Sequence, residues 1–566
     1  MEEVASVGPA AAGCMAGTVQ AGAAPKRRRL QRTPTINHDE VNMRSLIYSK
    51  QVVPPNTHHD GTLLDCLASE HATAFEQILF QRSPRTFTGQ HTWASCCTGS
   101  GGAHFVMKAV EKAWPDVVLK QVFACEKDPA KRNWICNLVN SGHTASGQDQ
   151  VCIFQDICDL GNEMAQCHTH GRMCKVPGCD FLVVGTSCKD LSKMNNTKFK
   201  EPVLAMHTSP GGTATTFRGL LSFLDSHSVD VVIYENSDNL DHNGGGQPQS
   251  ANGNQTGGVS NLDIFQSEMS ARRFEGQNMV LNAKQFGSAA SRRRFWSVLF
   301  KTGDPRSFLE FGDRTLAAVF KTFRGLLKVC QRTPPSLETV LLKSTDEHVE
   351  RELLRRTALG QPTSAFSWVP EHQKLYANLR IQWGGPSPHM ATSSSRWYQT
   401  LAPCQKSVLV YRQHLSLSSR RSVECKAEQQ CTELGITLDQ SPDRNNQTTR
   451  GEDGKTISAP CLLPGQVLWM HIPGDEERIL LGREALMLQG FPVCRVPKPG
   501  GQRSSEEVSE RFLHDLAGNA MTFHVLLAVV QSAMAALTWR EGKIEHPTSA
   551  KEELDSAYAL FSQLHK

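Results

Sequence analysis

The sequence predicts an α/β fold built on a mostly parallel sheet, and three observations carry that reading. Between Thr92 and Asn236, five short runs of β-branched and apolar residues follow one another: TWASCC, VVLKQVFAC, VCIFQ, DFLVVGTS and VDVVIYEN. The segments between them are long enough for helices, as in units that alternate strand and helix. The runs are apolar at successive positions rather than at every second one, the pattern of strands covered on both faces.

Bulk properties set the frame. At 566 residues the chain exceeds one ordinary domain, and its 39% hydrophobic and 20% charged residues suit a globular protein with a substantial core. A net charge of +4 excludes histone-like binding through overall basicity, so any nucleic-acid contact must come from local patches. The 18 cysteines are scattered, and the N-terminus lacks the parts of a signal peptide, so reduced thiols are expected. The most apolar stretch, Leu516 to Trp539, is interrupted by Asn519, His524 and Gln531, which favours a buried helix over a membrane span.

The Ala/Gly-rich residues 1–34 end in Lys26, Arg27, Arg28, Arg29 and Arg32 and read as a disordered basic tail. That cluster suits a nuclear import signal or a phosphate-binding arm, and equally a solvated charge run; nuclear localisation is the expectation. After the five strand-like runs, HNGGGQPQSANGNQTGG reads as a flexible surface insertion beside the site. NMVLNAKQFGSAASRRRFWSVLF then resumes strand character. From about Lys301 to Arg478 no repeat is visible, and the stretch reads as a second domain, with SPDRNNQTTRGEDGKT as another disordered loop. LGREALMLQGFP reads as a short helix ending at Gly490, and AGNAMTFHVLLAVVQSAMAALTW as a long buried one.

The candidate chemistry sits where strands end. TGSGG, comprising Thr98, Gly99, Ser100, Gly101 and Gly102, follows the first strand and precedes a helix. Glycines there let the backbone turn tightly and approach a ligand, although helix-on-sheet packing also wants small residues. The second strand ends in Glu126 and the third in Asp156, which fits a nucleoside-containing cofactor. The fourth ends GTSCKDLS, placing Cys188 at the carboxyl edge, where open α/β sheets bind ligands and where cations can favour a nucleophilic thiolate. The fifth brings Glu235 to the same crevice, as an acid able to share a proton with a ring nitrogen or as an ordinary salt-bridged carboxylate.

Taken in order, these segments resemble the cytosine-5 DNA methyltransferase family over most of Thr92 to Met521. TGSGG is similar to its cofactor loop, Glu126 and Asp156 to its ribose and adenine acids, and Cys188 to its nucleophile. CKDLS is especially similar to the de novo-type enzymes. Glu235–Asn236 matches the family's Glu-Asn pair, and FGSAASRRR the segment whose alternate arginines here are Arg292 and Arg294. LGREALMLQGFP and AGNAM match the two closing motifs, which makes Asn519 a cofactor contact.

The resemblance implies a Rossmann-like S-adenosylmethionine-dependent methyltransferase domain, with a smaller target-recognition domain inserted before the C-terminal motif helix. Its boundaries are an extension of unassigned role at 35–90, the catalytic domain at 91–300, the recognition region at 301–480, closing motifs at 481–540 and a tail at 541–566. It further implies DNA as the partner, S-adenosyl-L-methionine as the cofactor, and a cytosine flipped out of the stack. Cys188 would add to carbon 6 while Glu235 engages N3 and the exocyclic amine, with Arg292 and Arg294 holding the base and its phosphate.

Two positions depart from the family: Ser187 stands where proline is usual, and Ala290 where glutamine is usual. The first gives up a fixed φ that aims the thiol, the second a polar contact. Two other readings stay open. One is an RNA cytosine-5 methyltransferase, although the CFT tripeptide of that branch does not follow Cys188. The other is an inactive chromatin-binding homologue.

Elsewhere, QCHTHGRMCKVPGC offers Cys167, His168, His170, Cys174 and Cys179 as soft or borderline ligands, either as a zinc clip or as a loop with free thiols. Their spacing matches no standard pattern, and no metal is assigned. In the recognition region, RIQWGG, SSSRWYQT and VLVYRQHLSLSSRR mix arginines with aromatics, which suits phosphate contact and stacking or an ordinary core beside a basic face. No base-reading residue is assigned.

Overall fold

A computed structural model of the chain describes residues 59, 61–80, 89–140, 150–191, 205–208, 212–240, 260–303, 309, 315–360, 368–380, 382–383, 395–421, 435–438, 449–450, 457–470, 474–495 and 508–537. The basic tail with Lys26 to Arg32, the Gly/Asn/Gln insertion, most of SPDRNNQTTRGEDGKT and the 541–566 tail lie outside these residues.

The strands are Gly89–Cys96 (β1), Val117–Cys125 (β2), Cys152–Phe154 (β3), Met164–Gln166 (β4), Met173–Lys175 (β5), Cys179–Gly185 (β6), Val229–Ser237 (β7), Phe274–Asn282 (β8) and Arg293–Lys301 (β9). Seven of them form one sheet in the order β3-β2-β1-β6-β7-β9-β8. The pairs among β3, β2, β1, β6 and β7 are parallel, while β9 runs antiparallel to both β7 and β8. The order reverses between β1 and β6, the place where an open α/β sheet leaves a crevice at its carboxyl edge. β4 and β5 make a separate antiparallel hairpin between β3 and β6.

Both faces of the sheet are covered, as the continuous apolar runs require. On one face lie Leu63–Phe80 (α1), Gly102–Ala113 (α2) and Pro129–Asn140 (α3). The other face takes Gly212–Ser226 (α4) and Asn261–Ala271 (α5). Helix α2 shows how the sequence selects its position: Phe105, Val106, Ala109 and Val110 recur at helical spacing and are all buried, whereas Lys108 points to solvent. A single methyl group at Gly102 would lie 2.1 Å from the Phe523 ring, so glycine is what admits this packing.

The core does not divide at residue 301. Leu316–Val329 (α6), together with Leu337, Val340 and Leu341, packs into the main core, because Val319, Phe323 and Leu326 form an apolar stripe. Helix α6 lies against Phe523–Leu537 (α7), the long helix at the end of the described chain. The apolar stretch 510–537 has the length and hydropathy of a membrane span, yet 94% of its most apolar window is buried within the fold.

A second, smaller core begins after Leu342, where Val349, Leu353, Trp397, Leu401, Leu409, Ile436, Trp469 and Ile479 come together. Trp397 and Tyr411, two of the aromatics that suited stacking on bases, are buried at 0% and 6% exposure and fill interior space. Arg396 is engaged by Glu350 and Glu476 at 2.8 Å each.

Candidate active site

The glycine-rich end of the site is built on a turn. After β1 the chain passes through the left-handed region at Cys97 (φ 56°), Gly99 (φ 67°) and Gly101 (φ 75°) before α2 begins. Glycine enters that region without the steric cost a side chain brings. A Cβ at Gly99 would sit 3.2 Å from the Asn519 carbonyl oxygen, so the turn and the C-terminal end of the helix Glu510–Asn519 are brought together. Trp134 Nε1 donates to the Ser100 carbonyl at 2.9 Å and pins the loop. Thr98 is buried, and the Ser100 hydroxyl is buried with no hydrogen-bond partner among the described residues.

Glu126 lies just past β2 and accepts from the Asp128 N–H at 3.0 Å; burial holds its carboxyl above the usual range. Asp156 lies past β3, where its Oδ1 accepts from the Cys158 N–H at 3.1 Å and its Oδ2 pairs with Lys127 at 2.8 Å. Burial alone would raise the Asp156 pKa, but Lys127 and the Cys158 contacts outweigh it and hold the group ionised. Asn519 donates to the Asp515 carbonyl at 2.8 Å, while the Asp515 carboxylate pairs with Lys131 at 2.9 Å. The structure therefore brings the glycine turn, Glu126 and Asn519 to one edge, with Asp156 one strand further along it.

The end of the site that carries Cys188 is held by a buried polar knot. Cys188 follows β6, and Thr186 and Asn236 tie this strand end to that of β7. Asn236 Nδ2 donates to the Thr186 carbonyl (3.2 Å), Thr186 Oγ1 (3.0 Å) and Tyr234 Oη (2.9 Å). Thr186 Oγ1 and Tyr234 Oη are themselves 2.7 Å apart. Across the same edge, Gly185 pairs with Glu235, and a side chain at Gly185 would crowd Met521 at 2.9 Å and Glu235 Oε2 at 3.4 Å.

Sheet parity explains why the two arginines matter differently from their neighbours. Val231 and Ile233 of β7 share a core with Trp296, Val298 and Phe300 of β9, whereas Val232 and Tyr234 share the opposite core with Phe295 and Leu299. Odd positions of β7 thus face the same side as even positions of β9, which puts Glu235, Arg292 and Arg294 on one face. Arg294 Nε lies 3.3 Å from Glu235 Oε1. Arg292 is spent differently: its guanidinium donates to the carbonyls of Leu462 (3.1 Å) and Gly518 (3.3 Å), clamping the segments that close the site. Its charge still reaches Cys188 and Glu235.

Burial is the largest influence on each of these groups. It raises the Cys188 thiol above its ordinary value, with Arg294 and Arg292 opposing and Glu235 adding to the rise. Burial likewise raises Glu235 against the pull of both arginines.

Cys461 is a thiol that sequence reasoning missed. It lies 3.7 Å from Arg294 Nη2 and 4.0 Å from Arg292 Nη1. Burial pushes its pKa up, but the two guanidinium charges outweigh that and hold it below the ordinary value. Thiols alkylate as thiolates, so iodoacetamide near neutral pH, without DNA, is expected to label Cys461 ahead of Cys188. Labelling of Cys188 should keep rising as the pH passes the ordinary thiol value of 9.0. Peptide mapping by mass spectrometry checks the order, and faster labelling of Cys188 at neutral pH would contradict it.

The two departures have physical explanations. The Ser187 N–H donates to Thr216 Oγ1 of α4 at 3.0 Å, a bond that proline could not make. A hydrogen bond to a helix thus anchors the residue before the thiol, where proline would restrict it. Thr216→Val should lower the rate of the methyl transfer that the resemblance implies by about 5- to 10-fold with cofactor affinity unchanged, since one such bond contributes ~1 kcal/mol. An unaltered rate in single-turnover assays would remove Thr216 from this role. Ala290 is fully buried and bridges to Ala459, whose N–H donates to Ala289 and whose carbonyl accepts from Ser291. A glutamine there would have to enter packed core.

A family model described as C-5 cytosine-specific DNA methylase matches residues 152–532. The chain belongs to that family. Among curated members, it is 26% identical over 469 residues to the DNA (cytosine-5-)-methyltransferase DMT5 of Cryptococcus neoformans var. grubii. That match covers 78% of this chain and only 17% of the far longer relative. Among solved structures, the S. pombe Dnmt2 methyltransferase aligns over 79% of this chain and 98% of its own, at 11% identity and a TM-score of 0.35. A Spodoptera frugiperda DNMT2 variant aligns over 78% and 99%, at 13% identity and a TM-score of 0.34.

Proposed function

We propose that this chain is a DNA cytosine-5 methyltransferase that works through a covalent bond between Cys188 and carbon 6 of the target base. The observation that carries the reading is the convergence at one sheet edge of a thiol, a buried carboxyl and two guanidinium groups, next to a glycine turn with an unpartnered buried hydroxyl. S-adenosylmethionine suits that turn: Gly99 and Gly101 let the backbone turn tightly through the left-handed region, Ser100 Oγ lacks a partner among the described residues, and Glu126 and Asp156 stand at the next two strand ends. Thr98, Gly102 and Asn519 complete the set that would hold it. When bound, it supplies an electrophilic methyl group for carbon 5.

The protein's own groups account for the remaining chemistry. Cys188 as thiolate adds to carbon 6, forming a C–S bond and pushing an electron pair into the ring. Glu235, kept protonated more readily than an exposed carboxyl by burial, donates to N3 and so neutralises the charge that arrives there. Arg294 fixes the Glu235 carboxyl in place, and with Arg292 favours the thiolate over the thiol. After carbon 5 has been alkylated, its proton passes to water, the C–H electron pair becomes the C5–C6 double bond, the C–S bond breaks to free Cys188 as thiolate, and N3 returns its proton to Glu235.

Mixing the full chain with cofactor and duplex DNA containing 5-fluorocytosine tests this directly, because the fluorine cannot leave as the proton does. A stable adduct mapping to Cys188 is expected. Labelled methyl entering RNA and not DNA in a parallel assay would overturn the choice of substrate.

A further inference from the structure

The β4–β5 hairpin and the edge strand β3 bring four metal-ligating side chains to one point, well outside the catalytic groups. Cys152 stands on β3, Cys167 just past β4, His170 in the turn and Cys174 on β5. Their ligand atoms, three Sγ and one imidazole nitrogen, all lie within 4.8 Å of one another. Among the described residues no other His, Cys, Asp and Glu side chains meet in this way.

Geometry separates this cluster from a chance gathering of thiols. His170 Nδ1 is 3.4 Å from Cys167 Sγ, 3.5 Å from Cys174 Sγ and 3.5 Å from Cys152 Sγ. One imidazole nitrogen carries either one proton or one lone pair, so it cannot serve three sulfurs by hydrogen bonding. A single cation can. With Zn–S near 2.3 Å and Zn–N near 2.05 Å, the sulfur-to-nitrogen edge of a tetrahedron is about 3.6 Å, close to all three separations.

The backbone is arranged to hold the four in place. The hairpin closes with Cys167 N–H donating to the Arg172 carbonyl at 2.9 Å, and Gly171 takes the left-handed turn at φ 64°. The His168 N–H donates to the Ile153 carbonyl at 2.7 Å, and Phe154 bridges to Cys167, which lashes the hairpin to β3. Thr169 Oγ1 donates to the Val151 carbonyl at 2.9 Å and accepts from the Ile153 N–H at 3.2 Å.

We propose that Cys152, Cys167, His170 and Cys174 form a structural zinc site of the Cys₃His type. The set differs from the one the local spacing offers: Cys152 enters from β3, while His168 and Cys179 fall outside it. Binding displaces the three thiol protons and leaves all four positions filled by protein, so the site is closed to catalysis. Its consequence is mechanical, since Asp156 lies four residues beyond Cys152 and the hairpin leads into β6, which ends at the Cys188 loop.

The test measures metal in the full chain, expressed with zinc present and purified anaerobically under reducing conditions. About one zinc per chain is expected, and less than half an equivalent would overturn the proposal. Cys174→Ser and His170→Ala should each lose most of the metal, whereas His170→Cys, which supplies a fourth thiolate, should retain it. His168→Ala and Cys179→Ser serve as controls expected to stay at the wild-type content. Cobalt(II) in place of zinc should give thiolate-to-cobalt charge-transfer and tetrahedral ligand-field absorption. Full zinc content in a Cys167→Ser/Cys174→Ser double variant, or a disulfide among these cysteines in the freshly purified protein, would equally exclude it.

Discussion

Replacing Cys188 with serine is expected to reduce methyl transfer to duplex DNA by at least ~10⁴-fold, because the hydroxyl is a far weaker nucleophile than a thiolate without a base to activate it. Glu235 is not free to be that base, since its carboxyl is engaged by Arg294 and assigned to the ring nitrogen. The exchange is small in volume and leaves the backbone turn, in which the Leu191 N–H donates to the Cys188 carbonyl, intact. Cofactor binding, measured by calorimetry, should therefore match the wild type. A variant retaining more than a tenth of the wild-type rate in a labelled-methyl assay would remove Cys188 from the role assigned to it.

The largest effect on stability is expected at Glu484. Its carboxylate and the Arg478 guanidinium are both fully buried and form a two-pronged pair at 2.7 and 2.8 Å. The remaining lone pairs accept from the N–H groups of Leu342 and Leu481, and Arg478 also donates to the carbonyls of Leu342 and Ile479. Glu484→Ala leaves an unpaired buried cation and several unmatched backbone groups, a change that costs about 3–5 kcal/mol in comparable cases. The shift in denaturant midpoint measures it, and a loss below about 1 kcal/mol would show that water reaches the pair. Removing both charges, as in Arg478→Met with Glu484→Leu, should recover much of the loss, since the penalty arises from the orphan and not from the absence of a bridge.

What the sequence disclosed, and what it withheld, follows from the range of the forces involved. The parallel strands were legible because each is covered on both faces, so the apolar runs ending at Cys125, Gly185 and Ser237 stand out without reference to anything distant. The candidate groups at strand ends were legible for the same reason: a strand's end is a local event, and an open sheet gathers such ends at one edge. Thr216 was not, since only tertiary packing brings its hydroxyl to the Ser187 N–H from a helix 29 residues away.

Cys461 and Cys152 were hidden in the same manner, each meeting its partners through chain folding and not through spacing. The boundary near residue 301 failed to appear in the core because α6 carries an apolar stripe that suits the main core as well as a separate one. Beyond it, the helix Glu347–Leu359 buries only Val349, Glu352 and Leu353, too few positions to announce a core of its own.

The pairing of β7 with β9 sets a rule for how this chain can tolerate change. Because the arginine reaches the carboxyl only by standing on the matching side of a pleated ribbon, one residue added inside β9 just after Arg294, with the apolar stretch Phe295–Phe300 keeping its register, would turn Arg294 to the far side of the sheet and bring Arg293 round to the near one, while an insertion in the turn before the strand could be looped out. Lineages carrying this chain should thus vary the turn's length freely and keep the ribbon's count, whatever the letters.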